Sequence, residues 1–234
     1  MSSGAPRRAA LRAAAGVGLA HLFRPSLPGA ALLLRAAGIG APLGLLGAPQ
    51  AQAGAQVEEP LSHSVRSALS AAVADAAPPR PVFDRPEERA AHVQWLSRSG
   101  QRLQRYKSEA HVRTEFLEAV WYESRRAGLE TELVLGLIQV ESGFRKYAIS
   151  SAGARGYMQV MPFWSRLIGD GDVSRLFHMQ TNLRFGCTIL RHYLDRERGD
   201  LFMALGRYNG SRGRAPYPEA VFAARRGWVS ARTS

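Results

Sequence analysis

One cysteine, Cys187, stands alone among 234 residues. An intramolecular disulfide is therefore excluded, and a single thiol at an apolar helical position reads as core packing. An exported protein without disulfides suits a bacterial envelope better than a eukaryotic secretory route. Metal-binding patterns are missing as well. The six histidines are dispersed, and none stands in an HExxH run or pairs with a cysteine, so no metal and no cofactor is expected. Acidic residues are absent from residues 1–53, which contain five arginines (7, 8, 12, 24 and 35). The apolar stretch 36–48 is too short for a membrane span and is broken by Gly and Pro. No internal repeat is visible.

The charge that is present is mostly positive, with a formal net of +12. Its location decides what it means. Residues 1–53 read as an export signal: Arg7-Arg8 come early, apolar and small residues follow, and Ala51-Gln52-Ala53 fits the small-x-small cleavage pattern. The paired arginines resemble a twin-arginine signal, but the rest of that pattern is absent. Without this leader, 31 − 5 = 26 basic residues face 19 acidic ones, a net of +7. The basic groups at Arg126, Arg212/Arg214 and Arg225-Arg226 carry no interleaved aromatic ladder. Nucleic acid is therefore not an expected partner, whereas an anionic polymer such as cell wall is compatible with the field.

Residues 54–86, with "APPRPVFDRP", have the Ala, Pro and Ser content of a flexible linker. A polar helical extension is expected over 87–112, reaching about Lys107. Hydrophobic spacing then sharpens. Phe116, Leu117, Val120 and Trp121 predict one helix, and "LETELVLGLIQVES" predicts a second, stopped by Gly143. The segment "RKYAISSAGARGYMQVMP" reads as a loop with a small extended piece around 156–160. Short helices are expected from Pro162, over 182–196, from Leu201, and from Pro218 onward. The fold class is mainly α, about six helices with that small extended piece, in a domain spanning 113–230.

Within the second helix, Leu133, Val134, Leu137 and Ile138 form an apolar stripe, and Glu141 continues it. A carboxyl on a buried face favours its neutral form through desolvation. The negative end of the helix dipole disfavours the anion further. A carboxyl kept protonated near neutral pH is what a general acid requires. Position alone suggests an acid and names no substrate.

Four blocks add the substrate. "QVESGF", "SSAGARGYMQVMP", "NLRFGCTILRHYL" and "RYNGS" resemble, in order and rough spacing, the lytic transglycosylases of the soluble (SLT) type. The resemblance covers about residues 115–230. It implies a lysozyme-like α+β superfold and cleavage of peptidoglycan. Residue by residue, Glu141 matches the single catalytic acid/base and Ser142 the serine after it. Ser150 matches a position lining the groove near the reacting sugar. Gly156, Gln159 and Met161 lie in "GYMQVMP", the counterpart of the family's Gly-Leu-Met-Gln block, with Tyr157 in place of leucine. Tyr208 and Asn209 match a Tyr-Asn pair whose tyrosine faces the catalytic site, and Arg207 replaces a common alanine.

The reaction so implied breaks the MurNAc-GlcNAc β-1,4 bond without water and leaves 1,6-anhydro-MurNAc ends. Glu141 would act first as acid and then as base. Ser142 and Tyr208 would orient it or the N-acetyl group, while Gln159, Met161 and Asn209 would hold the glycan. A lysozyme-type hydrolase would need a second carboxylate. Asp170 and Asp172 are the candidates, in a turn that reads as solvated. The residues also allow a silent peptidoglycan-binding module, or a wall-opening accessory of a secretion or pilus complex. A monomer in the periplasm or bacterial envelope is expected, with peptidoglycan glycan strands as partner.

Overall fold

Apolar residues at helical spacing wind most of the chain into helices. The structure, a computed structural model, describes residues 56–74 and 81–229. In order, the elements are α1 (His63–Val73), α2 (Pro86–Leu103), α3 (Ala110–Arg126), α4 (Thr131–Ser142), α5 (Pro162–Ile168), a 3-10 turn (Val173–Phe177), α6 (Met179–Arg196), α7 (Leu201–Asn209) and α8 (Pro216–Trp228). The fold is mainly α, as expected. Among the described residues, no helix is long and apolar enough to cross a membrane. The expected export signal, residues 1–53, lies outside the described residues.

Local chemistry sets the helix ends. Ser62 and Asp200 cap α1 and α7 by accepting from Val65 N–H and Met203 N–H. Proline opens α2, α5 and α8, where a missing N–H costs nothing. Gly143 and Gly210 close α4 and α7 in the left-handed region, at φ 55° and 82°. The glycine-rich segment after α4 forms only isolated bridges, Ile149 to Arg155 and Arg155 to Val160. The extended piece expected at 156–160 is thus reduced, because Gly153, Gly156 and Gln159 all take positive φ and fold the chain back too often for a ladder.

Helix α4 is buried from Leu133 through Ile138 and packs against α3 and α8. Its contact with α8 is backbone-close at Gly136. A Cβ added there would lie 2.7 Å from the Arg225 nitrogen and 2.9 Å from its Cα. Helix α6 joins α3 through a buried ion pair. Glu123 Oε1 accepts from Arg184 Nη2 at 2.8 Å and from Nε at 3.1 Å, with both side chains at most 5% exposed. Two charges so placed are tolerable only together; removing either strands the other in the core.

Two expectations need correction. Part of the flexible linker at 54–86 is the ordered helix α1, which packs on α5 and α6. Leu61, Val65, Leu69 and Val73 recur every four residues there, and all lie in or against the core. The high Ala and Ser content hides that stripe from a compositional reading. The strand of chain before α1 is fastened as well: Gln56 Oε1 accepts from Trp164 Nε1 at 2.7 Å, and Glu59 pairs with Arg196 and Arg207. The last helix begins at Pro216 rather than Pro218, which places Tyr217 in its first turn.

Gly136→Ala should destabilise the protein by about 1–3 kcal/mol, since the α8 backbone would have to move. Gly100→Ala, in α2 with open space around the added carbon, should be neutral or stabilising by up to about 1 kcal/mol. Urea unfolding of the two variants beside the parent checks the contrast.

Candidate active site

The last turn of α4 carries Glu141 on the face that turns inward. Its side chain is buried, 5% exposed. The hydroxyl of Tyr217, from the first turn of α8, donates to Glu141 Oε1. Oε2 is buried without a hydrogen-bond partner in the protein. Burial pushes the Glu141 carboxyl up from 4.5 to about 8, against the opposing effect of the Tyr217 hydrogen bond. The carboxyl is therefore largely protonated at neutral pH. Because Oε1 already accepts from Tyr217, Oε2 is the oxygen left to carry the proton, and it faces no protein acceptor.

Helix geometry explains the pair. Close approach at Gly136 draws α8 onto α4, and Val221, whose carbonyl lies against Gly136, sits one turn beyond Tyr217. Burial holds the Tyr217 hydroxyl well above its ordinary range, and the nearby Glu141 adds to this. It stays a neutral donor. Sequence reading missed Tyr217, because a tyrosine between two prolines reads as a turn until α8 is seen to start before it.

Tyr208, expected to face the acid, is fully buried, and its hydroxyl donates to Met158 O at 2.8 Å. Its contact with Glu141 is electrostatic: burial, then the neighbouring Glu141, push its pKa up and keep the phenol neutral. Tyr208 thus fixes the loop and Tyr217 holds the carboxylate. Met158 is pinned from three sides. Its N–H donates to Asn182 Oδ1 at 2.8 Å, its carbonyl accepts from Tyr208, and its side chain fills the notch at Gly186, where a Cβ would lie 2.4 Å from the sulfur. Asn182 Nδ2 donates on to Arg155 O and Leu176 O, both at 2.8 Å. This buried amide binds three backbone groups and orders the segment 155–158. Its cue in the sequence is its place at the head of the "NLRFGC" block.

The remaining expected residues divide. Ser142 Oγ donates to Ile138 O at 3.2 Å inside its own helix, so its hydroxyl does not orient Glu141. Ser150 Oγ accepts from Ala154 N–H at 3.1 Å and closes the loop 150–154. Gln159, at φ 49° and 2% exposed, donates from Nε2 to Gly156 O at 2.8 Å and Ala148 O at 3.1 Å. Met161 precedes α5 and is half-buried against the core. Asn209 ends α7, buried directly after Tyr208.

Beyond α4 the chain is held by aromatics and one cation. Phe144 takes φ 63° and packs between Tyr106, Phe116 and Trp228, with ring centroids 4.7, 5.9 and 5.4 Å away. Lys107 Nζ donates to Phe144 O at 3.3 Å and to Tyr157 Oη at 3.0 Å. Burial lowers its ammonium pKa. The helical extension thus clamps the segment that follows the acid.

The carboxylates weighed as partners for Glu141 are engaged elsewhere. Asp170 accepts from Asp172 N–H and pairs with Arg175; Asp172 accepts from Ser174. Those bonds lower both pKa values, so both groups are anionic and tied to their own turn. Neither contributes to the perturbation of Glu141.

The segment that carries this site matches a known domain. Residues 118–221 match the transglycosylase SLT domain, a span that runs from α3 into α8 and includes Glu141, Tyr208 and Tyr217. Through this segment the chain is similar to SLT-domain lytic transglycosylases. A membrane-bound lytic murein transglycosylase C of Mannheimia succiniciproducens is 44% identical over 61 residues, 26% of this chain and 17% of that protein. A transglycosylase of Enterobacteria phage PRD1 is 33% identical over 101 residues, 43% of this chain and 37% of that protein. An X-ray structure of an inactive mutant of lytic transglycosylase Slt from Pseudomonas aeruginosa aligns with 63% of this chain and 29% of that chain, at 21% identity and a TM-score of 0.39. The chain spans less than half the length of each of these relatives.

Replacing Tyr217 by Phe removes the donor that favours the ionised carboxyl, so the Glu141 pKa should rise further. For an acid that acts in this protonated form, the alkaline limb of the pH–rate profile should move to higher pH, and the rate at the optimum should fall by up to about a hundredfold through lost orientation. A pH–rate profile of Tyr217→Phe on purified peptidoglycan measures both.

Proposed function

We propose that the domain cleaves peptidoglycan glycan strands between N-acetylmuramic acid and N-acetylglucosamine by intramolecular transglycosylation. One observation carries this reading: Glu141 is a buried, largely protonated carboxyl whose Oε2 has no protein partner, and no other carboxylate perturbs it. In the first step Oε2 gives its proton to the bridging oxygen as the C1–O bond breaks. The N-acetyl oxygen of the muramic residue supports the positive charge at C1. The carboxylate so formed keeps the Tyr217 hydrogen bond on Oε1. In the second step the C6 hydroxyl attacks C1, its proton passes to Glu141, and a 1,6-anhydro ring closes. The acid is regenerated and no water is consumed. Tyr217 is the group that holds Glu141, while Gln159, Tyr208 and Asn182 act through the backbone they order.

A two-carboxylate hydrolase requires a second acid beside the scissile bond, in retaining enzymes about 5–5.5 Å from the first. The hydrogen bonds of Asp170 and Asp172 hold them in another role. The murein transglycosylase names of the relatives agree with a wall substrate. The leader read from residues 1–53 agrees with action in the periplasm.

The unmutated chain, incubated with purified peptidoglycan, should release muropeptides about 18 Da lighter than hydrolytic products, one water being absent. Glu141→Gln should release none. Reducing-end products from the unmutated chain would overturn the mechanism.

Stability should carry the same signature. The folded protein keeps a proton on Glu141 that the unfolded chain gives up near pH 4.5, so unfolding releases a proton between pH 4.5 and about 8. Stability should therefore fall as pH rises through that window and level off above it. Glu141→Gln should lack this slope, which melting temperatures at pH 5 and pH 9 would show. Activity on peptidoglycan should likewise decline above pH about 8, as the acid ionises.

A further inference from the structure

The chain turns sharply just after the acid. Gly143 and Phe144, which follow Glu141 and Ser142, take two successive left-handed conformations, φ 55° and 63°. A phenylalanine adopts this region at a cost and keeps it only where its surroundings over-determine it. The rings of Tyr106, Phe116 and Trp228 hold its side chain. Its carbonyl needs a separate partner, since among the described residues no backbone N–H of the loops and turns donates to Phe144 O. Lys107 Nζ does so, at 3.3 Å.

The same ammonium reaches the far end of the loop. It donates to Tyr157 Oη at 3.0 Å, and lies 4.7 Å from the Tyr157 ring centroid and 5.1 Å from that of Phe116. Tyr157 is buried and packs on Phe116 with centroids 4.9 Å apart. One cation thus ties the start of the loop, at residue 144, to its return, at residue 157. It comes from just beyond α2, outside residues 118–221. Such a placement is costly for a packing contact alone. Lys107 is half-buried, and burial and the neighbouring Lys146 lower its pKa, with no carboxylate among the causes. A leucine at 157, as in the block that this segment resembles, would offer the ammonium no acceptor.

We propose that Lys107 and Tyr157 are positioning residues for Glu141: together they lock the backbone at Phe144, three residues beyond the acid, and make the α2 extension part of the catalytic unit. The path is short. Only Ser142 and Gly143 separate the acid from the locked residue, and a glycine at φ 55° is too permissive to hold the angle by itself. Lys107 acts through the backbone and not through its charge, because it is not among the causes of the Glu141 shift. A reacting group misplaced by about 1 Å loses up to about a hundredfold in rate. This role rests on Glu141 being the acid of the proposed function, and it is the same whether water or the C6 hydroxyl completes the reaction.

The test uses the full chain and soluble, uncrosslinked peptidoglycan strands. Lys107→Met keeps most of the stem and removes the donor, while Tyr157→Phe removes one oxygen. Lys107→Met should lower kcat about tenfold with KM within about twofold, and Lys107→Arg, which still donates, should recover most of the loss. Tyr157→Phe should lower kcat about threefold, and the double variant should be no slower than Lys107→Met alone, because the hydroxyl acts through the ammonium. Unchanged kcat in a folded Lys107→Met would overturn the proposal. So would a raised KM at unchanged kcat, or losses that multiply in the double variant. If Lys107→Met does not fold, Tyr157→Phe decides, and a kcat equal to the parent's rules the pair out. Absence of cleavage by the unmutated chain would count against the proposed function instead, and NMR titration of the Glu141 carboxyl carbon then decides. A midpoint that falls toward 4.5 in Lys107→Met, as the loosened site takes in water, supports the positioning role, and an unmoved midpoint overturns it.

Discussion

A carboxyl group forced into an apolar helix contact is the constraint on which the rest of the site depends. Glu141 stays protonated because α4 and α8 meet closely enough at Gly136 to exclude water and to bring Tyr217 onto one of its oxygens. Desolvation is the dominant cause of the raised pKa, and the single hydrogen bond moderates it. A hydroxyl that donates to Oε1 both orients the acid and is ready to stabilise the anion formed when Oε2 gives up its proton. The proposed chemistry thus needs one carboxyl, one tyrosine and dry surroundings. The α4–α8 contact supplies all three.

Around this pair, ordering of an irregular segment replaces secondary structure. The loop from Phe144 to Met161 has only isolated bridges and turn-type backbone bonds, and side chains satisfy several of its remaining backbone groups. Asn182 binds Met158 and Arg155, Tyr208 binds Met158, Gln159 binds Ala148 and Gly156, and Lys107 binds Phe144. Residues that resemble sugar-binding positions in sequence are therefore partly occupied in holding the chain. Tyr208 shows this most directly: its hydroxyl is spent on Met158 O and its side chain is fully buried. The same segment tolerates positive φ at Phe144 and Gln159, since aromatic packing and amide bonds over-determine both.

The chain before the matched domain is also structural. Helix α1 and the irregular chain before it lie on α5 and α6 through Leu69, Gln56 and Glu59. Lys107, just beyond the end of α2, holds the segment after the acid. Segments outside residues 118–221 thus support the region that carries Glu141.

Much of this was legible in the sequence, and for identifiable reasons. The α4 stripe of Leu133, Val134, Leu137, Ile138 and Glu141 is a local pattern, so its helix, its stop at Gly143 and the burial of its carboxyl follow from spacing alone. The mainly α class follows from the same periodicity in the other helices. Helix α1 was hidden because its large apolar residues, Val65, Leu69 and Val73, sit among alanine and serine, where composition outweighs period. Local patterns could not reveal Tyr217, Asn182 and Lys107 as partners, since each acts on a residue at least twenty-four positions away. Sequence by itself determined which carboxyl would be buried, because burial follows from a helical stripe. Only the tertiary structure decided which hydroxyl would hold it, because the helix contact at Gly136 brings residues 141 and 217 within hydrogen-bonding reach.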